Sequence, residues 1–492
     1  MILPVTGFAL LLGFWASLYL LDVFLKTHVH FSRYYISFLG KSGLSVSILQ
    51  LRWYTTCFNR LFLRLGQWRP QFLRIWFTAG VVFGLFAMML SVFLLSLMVY
   101  NTLSRQPVEQ QVLTPVMPGV NLPMSQVTYY LVTLLVCGIL HEVGHAIAAV
   151  REQVRVNGFG IFIMALYPGA FVDLYTEHLQ VISPLRQLRI YCAGVWHNFV
   201  IVLVAIFVLY SEPVLLMPFY STGKSVVLTY VLENSAVSGP RGLHVGDHVT
   251  SISGCRVTSS ADWSQCIQAS MKEPVPGFCM AVEQVRKEDT AIKSYITPGG
   301  YLECCNSTRS DTHLCFGYNT KANPNREYAC LPARTTTDNK QCRLHSDCHS
   351  PSTEMTCVYP SLDNTTKLLR VEHYAGRRPP LLFLGYPPDL HYSVAVSNYV
   401  PASPIVPVHL PYVIETFSKY LISLSGALAI LNVVPCYALD GQWILLAFIE
   451  LTLRSTVTSQ ETRSLIYSIL ILFGSLLLGT NIFIAMFMLF VR

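Results

Sequence analysis

Residues 127–150 read VTYYLVTLLVCGILHEVGHAIAAV. This apolar stretch is long enough to cross a bilayer as a helix. His141-Glu142-Val143-Gly144-His145 lies near its C-terminal end. Positions i and i+4 share one helix face, so both imidazoles can reach one metal ion. Glu142 stands where a general base would have to stand. Two His and a Glu can also pair with one another at a membrane surface, with no metal. That plainer reading is harder to sustain here, because an ionisable group at membrane depth costs about 3 kcal/mol and usually has a functional reason. The pattern points to zinc hydrolysis performed within the membrane.

Of 492 residues, 52% are hydrophobic and 12% charged. The charged fraction is about half that of a typical soluble protein. Apolar runs at 2–24, 75–100, 127–150, 187–210, 411–434 and 464–491 predict a polytopic α-helical membrane protein of about six spans. The first run has no basic segment before it and no clear cleavage site after it, so it reads as a retained span. The net charge of +7 is unevenly placed: residues 25–74 hold eight Lys or Arg and no Asp or Glu. There Arg52, Arg60, Arg64, Arg69 and Arg74 are set among Trp53, Phe58, Phe62, Phe72 and Trp76. This suits an interfacial helix on an anionic leaflet, on the cytosolic side by the positive-inside rule. It does not argue for nucleic acid.

Ten of the 14 cysteines lie between Cys255 and Cys357. An even number in one polar block predicts disulfides and a lumenal or extracellular location. Their connectivity cannot be read from spacing, and no pair of C-x-x-C motifs favours zinc. Sequons at Asn306 and Asn364 fall in the same block and agree with lumenal exposure. Cys57, Cys137, Cys192 and Cys436 lie elsewhere and read as small apolar packing. Span parity gives the same topology. If 25–74 is cytosolic, the loop 101–126, with Pro107, Pro115, Pro118 and Pro123, is lumenal. The third span then returns, placing the His-Glu-x-x-His pentad toward the cytosolic side, and the fourth leads to a lumenal block at 219–410.

Residues 155–185 are apolar but broken by Gly158, Gly160, Pro168, Gly169 and Pro184. The stretch VNGFGIFIMALYPGAFVDLY alternates like two strands and a turn, predicting a re-entrant β-like region. Open strands cannot face lipid. Their edge could pair with an unfolded substrate backbone, and a plain structural hairpin fits equally. In the fourth span Gly194 and Asn198 sit four apart, where a small residue permits close helix approach and a buried Asn needs a partner. His197 reads as a hydrogen-bonded helix histidine before it reads as a ligand. Residues 234–263 resemble the PDZ core at Gly242, Leu243, Gly246, Asp247, Val249, Ile252, Gly254 and Val257. A Cys-rich insertion at about 279–357 follows, and strand-like LHYSVAVSNYV (390–400) returns after it.

A catalytic zinc commonly takes three protein ligands. The candidates for the third are Asp173, Glu177, Asp440 and Glu450. Asp440 is the best of them. It lies in the helix break between Pro435 and Gly441, and a carboxylate in an apolar segment needs a cation.

H-E-x-x-H in one membrane helix, followed by N-x-x-P-x-x-x-L-D-G at Asn432, Pro435, Leu439, Asp440 and Gly441, resembles the site-2 protease family of intramembrane metalloproteases. The likeness extends over nearly the whole chain. The added N-terminal spans and Cys-rich insertion look like animal rather than bacterial members. The resemblance implies one Zn2+ held by His141, His145 and Asp440, with Glu142 as general base and Asn432 on the substrate backbone. A weaker Gly and Asn pattern adds Asn198 as substrate-binding. It further implies hydrolysis of a peptide bond in the transmembrane segment of single-span transcription factor precursors after a first lumenal cut. Sterol regulatory element-binding proteins and ER-stress factors are the family examples, in Golgi and ER membranes. On this reading residues 1–100 add two helices, 127–210 and 411–492 form the two halves of the catalytic core, and 219–410 form a lumenal PDZ-like domain. Two rivals stand beside it. One is a zinc protease of prenylated or signal peptides, with a second Glu as ligand. The other is a non-enzymatic receptor or chaperone using the lumenal module.

Overall fold

Six helices of the computed structural model, among the described residues, are long and apolar enough to cross a membrane: Ala9–Thr27, Pro70–Thr102, Met124–Arg151, Ala193–Leu216, Leu410–Asn432 and Gln460–Phe487. The chain is a polytopic membrane protein. The structure describes residues 2–103, 122–297, 300–321, 323, 325–373 and 379–491. Most of the expected 101–126 loop, including Pro107, Pro115 and Pro118, lies outside them. The chain divides into two compact units, Met1–Glu212 with Val413–Arg492, and Pro213–Tyr412.

The first unit begins with α1 (Ile2–Thr27), α2 (Ser32–Ser42), β1 (Leu44–Ser47), β2 (Gln50–Thr55), α3 (Asn59–Gln67) and α4 (Pro70–Leu103). It continues through α5 (Val127–Arg151), β3 (Val156–Met164), β4 (Tyr167–Leu174), α6 (Thr176–Val181), α7 (Pro184–Tyr191) and α8 (Ala193–Leu216). Helices Leu410–Asn432, Asp440–Leu453 and Gln460–Val491 complete it.

The strands expected in 155–185 are present as the antiparallel pair β3–β4. The basic segment departs from expectation. It is not one interfacial helix, because its middle forms β1 and β2, and β2 pairs with β3 from Gln50↔Met164 to Thr55↔Phe159. The sheet therefore runs β1-β2-β3-β4, with β4 at an edge. Side chains of β2 reach across β3 to grip β4: Arg52 lies 3.7 Å over the Phe171 ring and the Tyr54 hydroxyl donates to Asp173 at 3.4 Å. Trp15 of α1 ties down the hairpin tip, its indole N–H donating to the Ala165 carbonyl.

A second departure concerns the fourth span. Residues 187–210 are not one helix, because the chain breaks at Cys192 between α7 and α8. Two packed cores set the geometry around that break. One joins Phe62, Phe77, Ala146, Ala149, Phe159, Ile190 and Ala193. The other joins Val81, Leu188, Cys192, Val433, Ile444 and Ile471. In lipid the hydrophobic effect does not drive helix association, so close shape fit must do so. This second core draws the segment around Asp440 toward α7 and α8.

Among the described residues the second unit holds two larger sheets and two short two-stranded ones. In one, the order is Leu381–Gly385, Lys367–His373, His248–Ile252, Val226–Val231, Val394–Ser397, with Cys255–Arg256 beside His248–Ile252. Leu243, Val249, Ile252 and Val257 of the expected PDZ-like core are buried there with Trp263 and Ile267 of helix Ser260–Lys272. Residues 390–400 are strand only at Val394–Ser397 and Val400–Pro401. Pro387 and Pro388 start a helix over Pro387–Ser393 instead, since proline suits the first helical turn. The second sheet, over Gly277–Pro360, is the Cys-rich insertion.

All ten cysteines of this unit form disulfides: Cys255–Cys266, Cys279–Cys348, Cys304–Cys315, Cys305–Cys330 and Cys342–Cys357. Asn306 and Asn364 are exposed. Closing the 25-residue separation of Cys305–Cys330 restricts the unfolded chain by about 3 kcal/mol. Replacing both cysteines with Ala should lower the denaturant midpoint of this unit accordingly, read by protection from proteolysis. An unchanged midpoint would mean that the pair does not cross-link.

Candidate functional site

The site is built where α5, the α7–α8 break and the start of helix Asp440–Leu453 meet. The α5 spacing delivers His141 and His145 to one face, both less than 10% exposed. Asp440 arrives from nearly 300 residues away. After Asn432 the helix stops, the chain turns through Pro435 and Ala438 (φ 70°), and a new helix begins at Asp440. A carboxylate in a first helical turn also meets the positive end of the helix dipole.

His141 Nε2 lies 3.0 Å from Asp440 Oδ2, His145 Nε2 lies 3.2 Å from it, and the two Nε2 atoms are 3.1 Å apart. The far side of each ring decides what these atoms are. His145 Nδ1 is 2.8 Å from the Ile190 carbonyl, which can only accept, so Nδ1 carries the proton and Nε2 offers a lone pair. His141 Nδ1 is 3.1 Å from the side-chain amide of Asn198. Asn198 is wholly buried, and its Oδ1 has no partner among the described residues. The oxygen and nitrogen of an amide are assigned from their partners. With the amide turned over, Oδ1 accepts from His141 Nδ1–H and the second Nε2 is also bare. Two imidazole lone pairs and a carboxylate oxygen then converge within 3.2 Å. This is a fitting donor set for zinc.

Gly194, beside the α7–α8 break, keeps this space open. A Cβ there would sit 2.5 Å from His141 Nε2 and closer still to His145 Nε2. Gly144 allows the close approach that α8 needs, since a Cβ would fall 2.6 Å from His197 Nδ1. His197 itself donates to the Ala193 carbonyl at 2.8 Å, as a helix histidine does.

The Glu142 carboxylate accepts a hydrogen bond from the Val172 N–H of β4 at 3.0 Å. It borders a cavity of about 260 Å³ that also meets His145, Val172, Tyr191, Asp440 and Trp443. Asn432 Nδ2 comes within 3.4 Å of His141 Nε2. The other carboxylates are engaged elsewhere: Asp173 with Tyr54, Glu177 with Tyr175 and Glu450 with Arg463. Of the four carboxylates considered, Asp440 alone meets the histidines. Cys279, Cys342 and Cys348 also converge, and their sulfurs are bound in disulfides. The Ile190 carbonyl and the Val172 N–H had no signal in the sequence, because backbone groups are not encoded by residue type.

The model of peptidase family M50 matches residues 129–303 and 397–477, more than half of the chain. The chain belongs to that family. It is a metalloprotease of the site-2 protease type, as the resemblance in the two motifs implied. A relative from Arabidopsis thaliana, described as a membrane-bound transcription factor site-2 protease homolog, is 26% identical over 465 residues. The match covers 85% of this chain and 88% of that protein. The M50 matches contain His141, Glu142, His145, Asn198, Asn432 and Asp440 and leave out α1 to α4.

Gly194→Ala should abolish zinc retention by the purified protein, because the added carbon occupies the space between the two Nε2 atoms. Gly426→Ala should leave zinc content unchanged, since its Cβ would meet nothing nearer than 3.9 Å. Metal analysis of both variants tests this, and full zinc in Gly194→Ala would contradict the assignment.

Proposed function

We propose that this chain hydrolyses a peptide bond in the transmembrane segment of single-span precursors, with one zinc ion held by His141, His145 and Asp440. The observation that carries the proposal is the convergence of three donor atoms within 3.2 Å beside Glu142, on a helix apolar enough to span a bilayer. A zinc ion held there supplies Lewis acidity and brings the pKa of a water to about 7. Glu142, beside these donors, is placed to take a proton from the attacking water and to return it to the leaving amine. Asn432 offers an amide N–H to the substrate carbonyl, where negative charge develops. Asn198 was expected on the substrate. Wholly buried against His141 Nδ1, it is better placed to hold that ring.

A substrate helix hides its peptide bonds and must unwind before it is cut. The edge strand β4 can receive the extended segment. Val172 N–H points away from β3, toward Glu142. By strand alternation Ala170 N–H points the same way, and Pro168 has none. Pairing with substrate competes with Glu142 for the Val172 N–H, which frees the carboxylate as the substrate seats.

The relative's name supports membrane-bound transcription factors as the substrate class; within it the family resemblance suggests sterol regulatory element-binding proteins and ER-stress factors, already cut once in the lumen. The second unit, with five disulfides and exposed acceptors Asn306 and Asn364, suits the lumen of the Golgi or ER. The basic segment suits the cytosolic side, which puts the site toward the cytosol.

Cleavage of a lumenally trimmed single-span precursor by the reconstituted protein tests the proposal. Glu142→Gln should lower the rate by about 1,000-fold while one zinc per chain remains. Equal rates in wild type and variant would remove the pentad from the chemistry.

A further inference from the structure

A buried cluster of charges lies behind the site. Glu152 is the cap residue just after α5, seven positions beyond His145. Its Oε1 is 3.2 Å from Arg189 Nη1 and its Oε2 is 2.8 Å from Arg186 Nε, both arginines being on α7. Arg186 also donates to the Glu152 carbonyl, and Arg189 Nε donates to Thr78 Oγ1 of α4 at 3.0 Å. The side chains of Glu152 and Arg189 are 7% and 8% exposed. Apolar residues of similar size often hold a fold as well as a buried ion pair does, or better. Stability alone is therefore a weak reason for this cluster.

Its place in the chain supplies a stronger one. Ile190, next after Arg189, presents the carbonyl that accepts the His145 Nδ1 proton. In an uninterrupted helix that carbonyl would take the N–H four residues on, at Gly194. Here, at the end of α7, it accepts from His145 Nδ1 at 2.8 Å and also from the N–H of Cys192. The segment α7 is only eight residues long, so something outside it must fix where its last carbonyls point. Thr78 and Glu152 anchor Arg189 from two sides, one residue before the carbonyl that matters.

We propose that Arg189 and Glu152 are positioning residues: they clamp α7 to the end of α5 so that the Ile190 carbonyl holds the His145 ring with Nε2 aimed at Asp440. The inference rests on the zinc reading of the same site. It predicts that loosening the clamp weakens metal retention without touching any ligand.

The test uses the full-length protein loaded with zinc and measures its release to a chelator at pH 7, alongside thermal melting. Arg189→Met and Glu152→Gln should release zinc about 10-fold faster or more, the range set by outer partners of metal ligands. Arg189→Lys keeps the charge but loses the fork and should fall between. Arg463→Met, which breaks the Glu450–Arg463 pair elsewhere in the unit, should release zinc as wild type does. The double variant Arg189→Met with Glu152→Met removes both charges together, so it should melt near wild type and still release zinc fast. A double variant that is folded and holds zinc at the wild-type rate would overturn the clamp and leave the zinc reading intact. Zinc retained by His141→Ala/His145→Ala as by wild type would overturn both.

Discussion

Two imidazole nitrogens and a carboxylate oxygen lie within 3.2 Å of one another in a helix bundle built for lipid. Lone pairs brought that close repel unless a cation lies among them. The rest of the membrane unit can be read as the means of holding that arrangement. The α5 helix sets the two imidazoles one turn apart. The Ile190 carbonyl and Asn198 occupy the Nδ1 sides, which leaves the Nε2 sides for metal. Gly194 keeps a carbon atom out of the centre.

Two helix interruptions make this possible. An unbroken helix uses its own carbonyls and presents only side chains. At the Cys192 cap the Ile190 carbonyl reaches the His145 ring, and the turn between Asn432 and Asp440 brings an amide and a carboxylate to one place. Such backbone is tolerated at membrane depth only where it is packed on protein or lines a cavity. Here Leu188, Cys192, Val433 and Ile444, all fully buried, supply that packing. Catalytic geometry and the departures from helical regularity are therefore one feature. The edge strand β4 belongs to it too, because its Val172 N–H restrains Glu142 directly.

Much of this was legible in the sequence, and what was missed has physical causes. His141, His145 and Asp440 were readable because charged side chains in apolar runs are rare and need partners. The six spans were readable from length and hydropathy. The β1–β2 pair was not, because Arg52 and its neighbours read as an interfacial basic helix and the strands are only four and six residues long. The break at Cys192 was hidden because no Pro or Gly stands at the break itself. The positions of the Ile190 carbonyl and the Val172 N–H depend on tertiary packing, which residue type does not reveal.

A zinc centre of His141, His145 and Asp440 would carry no sulfur ligand, although Cys137 and Cys192 are buried in the same unit. X-ray absorption at the zinc edge of the purified, reconstituted chain reads the ligand atoms themselves. The expected spectrum has two imidazole nitrogens and oxygen scatterers at about 2.0–2.2 Å, with the metal lost in Asp440→Ala. Sulfur scattering at about 2.3 Å, or a spectrum unchanged by Asp440→Ala, would contradict it.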